Sequence, residues 1–311
     1  MITIKSATIY DGISEKPFNG DLSVRGERIA ELSDNSHSEP GGRRISRFFP
    51  FTNVQGQNDK RLRGIKEINA SGQLLLPGFI DIHSHADLNI YQEPSTNPKL
   101  RQGVTTEITG NCGFSIIPLP LGEMDKGEGY LARRVSAWIK MWKGIWGKPP
   151  AGYPDKKPAQ NVFSLLGYGT LRYLISGLEN RPFTRRETEF AKKIITASIK
   201  EGAVGLSLGM VYPPCAFSTK EELLIMATVV ARAGGYLSVH LRNEGDAVEE
   251  AILEVIEIAR RTGVRLQISH FKCYGRKNWH KFDGLLEIIE KENSRGLEIN
   301  FDIYPYTAGS T

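Results

Sequence analysis

From Leu74 to Thr311 short apolar runs alternate with longer stretches of helical periodicity. The runs are "LLLPGFIDIH", "GVTTEITG", "NVFSLLGYG", "GAVGLSLG", "GGYLSVHLR", "VRLQISHF" and "LEINFDIYPY", starting near residues 74, 103, 161, 202, 234, 264 and 297. Each is short, rich in apolar residues and flanked by glycine or polar turn residues, which predicts a strand. Several intervals are close to thirty residues, the length of a βα unit. The segments between carry helix signals: "STKE" at Ser218–Glu221 ahead of "LLIMATVVARAG", and "GDAVEEAILEVIEIARRTG", whose stop is Gly263. Repeated βα units mean a parallel sheet, and seven near-regular ones predict an α/β fold of the TIM-like (β/α) barrel type.

The N-terminal pattern is different. Residues 1–32 ("MITIKSATIYDG", "DLSVRGERIAEL") read as short strands punctuated by Gly12, Gly20 and Gly26, so residues 1–73 are expected to form a small β-domain portion and 74–311 the barrel. An inserted loop, 33–66, shifts to Ser, Gly, Asn and basic residues, and its Arg43, Arg44 and Arg47 read as a solvated patch. In the longest gap, Trp138, Trp142 and Trp146 stand at i, i+4, i+8 and read as a packing stripe.

Composition narrows the classes. A chain of 311 residues, 40% hydrophobic and 24% charged, is ordinary globular material able to bury a sizeable core. The net charge of +5 is too small for a nucleic-acid partner. No stretch of 18 apolar residues and no charged leader followed by an apolar run occurs, so no membrane partner is expected, and the expected compartment is the cytoplasm. Three cysteines are too few for a disulfide framework and matter, if at all, as thiols.

The chemistry is concentrated in "PGFIDIHSHADL", residues 77–88. If the strand continues through it, Asp81, His83 and His85 share the inward face and Ile80, Ile82 and Ser84 the other. The chain has six histidines: His37 in the loop, His280 at a helix start, and His83, His85, His240 and His270, each at the end of a predicted strand. Barrel enzymes place their chemistry at that end. Four imidazoles converging on one mouth suit zinc best among common metals. Cys112, just beyond the second strand, fits the same site as a thiolate, and a Cys–His nucleophile pair is the competing use of it. Cys215 has no such context, while Cys273, three residues after His270, is kept as an accessory thiol. Asp81 reads as a hydrogen-bonding support inside the barrel and Asp87 as an entrance residue.

The ordered series "PGFIDIHSHAD", "GVTTEITGNCG", "GLSLGMVYPP", "VHLRNEGD", "ISHFKCYG" and "DIYPYTAGST" resembles the motif series of the N-acyl-D-amino-acid deacylases (D-aminoacylases) of the metal-dependent amidohydrolase superfamily. The resemblance implies a (β/α)₈ barrel, here with seven of eight strands present, joined to a β-sandwich domain of which the N-terminal unit is a part. It implies one tight zinc site at Cys112, His240 and His270 and a second, weaker position near His83 and His85. It also implies a clamp for the substrate carboxylate that includes Lys272, Tyr304 and Ser310. Lys272 and His270 have the same strand parity, so both are expected to project inward. In related cyclic amidases a carboxylated lysine stands on the fourth strand; "GAVGLSLG" has no lysine, which favours the linear-amide branch.

The implied reaction is zinc-dependent hydrolysis of the linear amide of an N-acyl-D-amino acid, releasing a carboxylic acid and a D-amino acid. The family's proton-shuttle aspartate and the arginine of its clamp lie beyond Thr311, as do the eighth strand and the rest of the β-domain. No catalytic acid–base residue is therefore identified within the chain. Two expectations follow: an incomplete or split deacylase with a complementing C-terminal polypeptide, or an inactive homologue that binds metal or a partner chain without turnover.

Overall fold

A computed structural model of the chain describes residues 1–26, 28–35, 67–87, 90, 98–115 and 158–309. Most of the loop 33–66, with His37, lies outside the described residues, as do Trp138, Trp142, Trp146 and Ser310. The chain divides into two compact units: Met1–Ile80 with Glu93–Thr106 and Asp155–Asn161, and Asp81–Gln92 with Glu107–Pro154 and Val162–Thr311.

The first unit holds a five-stranded sheet. Strands β1 (Ile2–Ile9), β2 (Phe18–Arg25) and β3 (Arg28–Asp34) form an antiparallel meander. The short strands β4 (Glu67–Asn69) and β5 (Leu74–Leu75) add in parallel to β1. Ala7, Ile9, Leu32 and Ala70 make its small core. A bulge in β1 lies between Ile4 and Ala7, where Ser6 has φ +59° and its N–H donates to Asp21 Oδ1 at 2.8 Å.

All seven strands expected after residue 73 are present. The segments β6 (Phe79–Asp81), β7 (Val104–Thr109) and β8 (Asn161–Ser164) form one sheet in that order. A second sheet runs β9 (Leu166–Gly167), β10 (Gly205–Gly209), β11 (Tyr236–His240), β12 (Arg265–Ile268) and β13 (Ile299–Phe301), with every neighbouring pair parallel. Only Leu165 separates β8 from β9, so one chain segment supplies the edge strand of both sheets. This is a TIM-like partial barrel.

Five α-helices occur among the described residues: α1 (Tyr168–Ser176), α2 (Arg185–Lys200), α3 (Lys220–Arg232), α4 (Val248–Thr262) and α5 (Phe282–Ser294). Alternation sorts the central strands. Leu206, Leu208, Leu237, Val239, Leu266 and Ile268 enter the core shared with the helices, while Ser207, Ser238 and Gln267 take the opposite face. The apolar stripe of α4, Val248, Ala251, Ile252, Val255, Ile256 and Ala259, is buried in that core. The helix ends at Gly263, which is left-handed at φ +68° and donates its N–H to Ala259 O.

The α3 cap is one residue later than "STKE" predicts. Thr219, not Ser218, accepts the Glu222 N–H, at 3.2 Å. The Glu222 side chain is committed elsewhere: it pairs with Arg172 Nη1, accepts the Tyr168 hydroxyl proton, and takes the Phe183 N–H at 2.9 Å. Arg172 is fully buried, stacks 4.6 Å from the Phe183 ring, and donates Nη2 to Arg181 O at 2.7 Å. Burial, reinforced by the Glu222 charge, pushes the Tyr168 hydroxyl well above its ordinary pKa.

Removing one partner of a buried ion pair leaves an uncompensated charge. Glu222→Ala is therefore expected to cost about 3–5 kcal/mol, read as a lowered midpoint in urea unfolding. Replacing Arg172 and Glu222 together with Met and Leu should recover most of that loss; a double variant as unstable as the single one would contradict this account.

Candidate metal centre

Beyond the carboxyl ends of the strands the chain stops being regular, and the donor side chains sit there. Strand β6 ends at Asp81, so His83 and His85 are not on a strand as expected. The reason is local: Asp81 Oδ1 accepts the His83 N–H at 3.0 Å, turning the chain where a ladder bond would have continued it. Ser84 then donates to the buried Glu107 Oε2 at 2.6 Å. His240 is the last residue of β11. Strand β12 ends at Ile268, so His270 and Lys272 also lie past regular structure, and strand parity does not place them.

Among the described residues three non-glycine positions have positive φ, and two are donors: Cys112 at +54° and His270 at +37°. That conformation is disfavoured for L-residues and persists where neighbours hold it. Below Cys112 the Gly113 N–H donates to Ser207 Oγ at 3.0 Å, and Ser207 donates to Gly110 O. Asn111 donates to Ile108 O at 2.9 Å and accepts from Ser238, which is 3.1 Å from Ser269. Gly209 lets this turn approach: a Cβ there would lie 2.0 Å from Cys112 O. At His270 the backbone N–H donates to Asp302 Oδ1 at 2.7 Å.

These turns bring the five predicted donors together. Cys112 Sγ is 3.3 Å from His83 Nε2 and 3.6 Å from His270 Nε2. Two triples have all their ligand atoms within 4.8 Å of one another: His83, His85 and Cys112, and Cys112, His240 and His270. The thiol belongs to both. The His240 and His270 ring centroids are 4.3 Å apart at 83°, and Tyr212 meets the His240 ring at 5.0 Å.

Electrostatics fits a cation. Burial pushes the Cys112 thiol up, with Asp302 and Glu244 adding to the shift and Lys272 opposing it. Burial, with the neighbouring His270, pushes His240 down to about 3, leaving a neutral imidazole whose buried Nδ1 has no hydrogen-bond partner. A divalent ion deprotonates a coordinating thiol outright and takes neutral imidazoles as ligands. The residues present, N and S donors at short mutual range, fit zinc.

Lys272 donates to Glu244 Oε1 at 2.6 Å and lies 5.6 Å from the Tyr304 ring centroid. Asp87, read from sequence as an entrance residue, is buried instead; its burial pushes the carboxyl up to about 7 against a hydrogen bond from the Gly110 backbone. Cys215 and Cys273 are buried and in neither triple; burial holds the Cys215 thiol up at about 12. Sequence reasoning missed Glu244 and Asp302. Burial alone would raise both carboxyls, but the partners around them win and hold both below the usual carboxylate range: His270 and Lys272 at Glu244, His83 and the His270 N–H at Asp302.

Comparison with known proteins gives this geometry a context. Residues 66–194 match the amidohydrolase family. N-acyl-D-glutamate deacylase of Alcaligenes xylosoxydans xylosoxydans is 32% identical over 312 residues, covering 100% of this chain and 58% of the relative. A crystal structure of N-acyl-D-glutamate deacylase from Bordetella bronchiseptica, complexed with zinc and a phosphonate inhibitor, superposes with TM-score 0.74 at 31% identity, covering 98% of this chain and 58% of that one. A D-aminoacylase structure described for its binuclear metal center superposes with TM-score 0.74 at 28% identity, covering 99% and 59%. In sequence and in fold this chain is thus a homologue of the N-acyl-D-amino-acid deacylases, carries an amidohydrolase-family segment, and spans 58% of the length of the curated relatives it matches first.

Proposed function

We propose that the chain is the metal-holding part of a zinc-dependent deacylase that hydrolyses the linear amide bond of N-acyl-D-amino acids. The observation that carries this reading is the convergence of one thiol and four imidazoles into two triples that share Cys112 Sγ. Cys112, His240 and His270 would hold one ion, and His83 and His85 a second that shares the same sulfur. Zinc bound there supplies Lewis acidity, lowering the pKa of water and polarising an amide carbonyl.

The protein's own groups do the rest. Lys272, with its ammonium beside the donor cluster, binds and orients the carboxylate of the amino-acid part. Its ion pair with Glu244 keeps the side chain extended toward the cluster before substrate arrives. Tyr304 forms the wall next to Lys272; Ser310, the third residue expected in the clamp, lies outside the described residues. The protein's relatives bear names that specify glutamate and aspartate as the amino-acid part; a cationic clamp suits anionic substrates of that class.

Two outcomes test the reading. Purified protein should carry near-stoichiometric zinc by elemental analysis, and Cys112→Ala should lose metal at both positions, because the sulfur is common to both triples; zinc retained at the parent level in Cys112→Ala would remove the basis of the site. Once the zinc-loaded chain is complemented with a C-terminal polypeptide supplying the eighth strand, amine release should be faster from N-acyl-D- than from N-acyl-L-amino acids, and Lys272→Met should raise KM for them; equal rates on both enantiomers, or no release by the complemented protein, would defeat the substrate assignment.

A further inference from the structure

Two partly buried carboxylates lie beside the histidines; above, Glu244 was given only its ion pair with Lys272 and Asp302 no role at all. Glu244 follows β11, and its Oε1 lies 2.6 Å from His270 Nδ1 and 2.6 Å from Lys272 Nζ. Asp302 follows β13; its Oδ1 lies 3.1 Å from His83 Nδ1 and accepts the His270 backbone N–H, while Oδ2 accepts from Gln267 Nε2 at 3.0 Å. On the far side of each ring, Nε2 faces the Cys112 sulfur.

The hydrogen atoms can be assigned by acceptor counting. An ionised carboxylate is acceptor-only, so an imidazole nitrogen 2.6 Å from one must carry a proton. His270 Nδ1 is therefore the protonated nitrogen. Lys272 Nζ lies 2.9 Å from that same Nδ1; its three protons find their acceptor in Glu244 Oε1, since a protonated Nδ1 accepts none of them. The ring's lone pair is then at Nε2, on the side of the thiol. His83 Nδ1 lies 3.1 Å from Asp302 Oδ1 but is buried without completing a hydrogen bond, so at this ring the carboxylate acts by charge and proximity. His240 has no carboxylate: its Nδ1 is buried without a hydrogen-bond partner, and its ring is held by edge contacts with His270 and Tyr212.

We propose that Glu244 and Asp302 are positioning residues, one for each of two imidazoles, that turn His270 and His83 so that both offer Nε2 to an ion held at Cys112. The inference rests on the metal reading above and adds to it an orientation and a pair of residues. The two carboxylates differ in what else they hold. Glu244 ties His270 to the Lys272 ammonium, so its loss frees a cation next to the cluster. Asp302 ties His83 to the left-handed backbone of His270 and to Gln267, so its loss acts on both triples at once.

The test is metal affinity, measured by competition with a chromogenic chelator, together with the thiolate-to-metal charge-transfer band of the cobalt(II)-substituted protein. Parent, Cys112→Ala, Glu244→Gln and Asp302→Asn are compared, with thermal melting of the metal-free proteins as control. Glu244→Gln and Asp302→Asn keep an acceptor oxygen and the side-chain shape while losing the charge. Each is expected to weaken zinc binding about 10–100-fold, as loss of a group orienting a metal-bound histidine does, and to shift the cobalt band. Melting should stay within a few degrees of parent.

Parent-like affinity and an unshifted band in both variants, with binding abolished in Cys112→Ala, would overturn this inference and leave the metal reading intact. A parent that binds neither zinc nor cobalt would overturn both. Should Asp302→Asn fail to fold through loss of the His270 contact, Glu244→Gln decides: parent-like affinity there overturns the proposal.

Discussion

The arrangement depends on the position of one sulfur atom. Cys112 Sγ is the member common to both donor triples, and it is held there by a left-handed residue that no side chain of its own favours. The turn works because glycines flank it in space. Gly113 has φ +81° and lies against the Gly209 backbone, and Gly209 in turn faces Cys112 O at a distance that excludes a Cβ. Hydrogen bonds from the Gly113 N–H to Ser207 and from Ser238 to Asn111 then close the turn onto the interior faces of β10 and β11. The position of the thiol is thus set by backbone and small polar groups, which neither repel a cation nor compete with the sulfur as ligands.

The histidines obey a different constraint. His240 closes its own strand, but His83, His85 and His270 lie past theirs, and the chain uses carboxylates to hold the turns at His83 and His270. Asp81 accepts the His83 backbone N–H and Asp302 the His270 backbone N–H, so two of the four imidazoles sit on turns that acidic side chains hold. Asp302 also lies beside the His83 ring. It therefore joins the turn after the first barrel strand to that after the sixth, from a position just past the seventh. Displacing Asp302 would move a donor of each triple, His83 in one and His270 in the other.

Much of this was legible in the sequence because the signals are scarce or periodic. Alternation identified the strands, and in β10, β11 and β12 the apolar face meets the helices. Histidine is informative because there are only six. Glu244 and Asp302 were invisible for the opposite reason: they are two among 35 acidic residues, and nothing local marks the turns that bring them to the rings. Strand ends were misplaced where a side chain took over a backbone bond. Asp81 ends β6 two residues before His83, so the argument that put both histidines on one strand face does not hold. Lys272 does meet His270, yet the turn brings them together and strand parity does not. The α3 cap moved to Thr219 because Glu222, the third residue beyond it, brings the helix start to its buried partners.

Two carboxylates, Glu222 and Glu244, show how one chemical motif serves two ends. Each shares an oxygen between a cation and a second donor: Arg172 and Tyr168 at Glu222, Lys272 and His270 at Glu244. Around Glu222 the helices seal the pair, and Arg172 is fully buried. There the charges can only satisfy each other, and desolvation makes the pair a fixed structural element whose halves cannot be separated cheaply. Glu244 lies past the strand ends, and the Lys272 side chain keeps 26% of its exposure. That ammonium can exchange its partner for an anion arriving from solvent at modest cost, because both alternatives are charged and partly hydrated. Burial, more than the identity of the residues, decides which of the two pairs is a fastener and which is free to act.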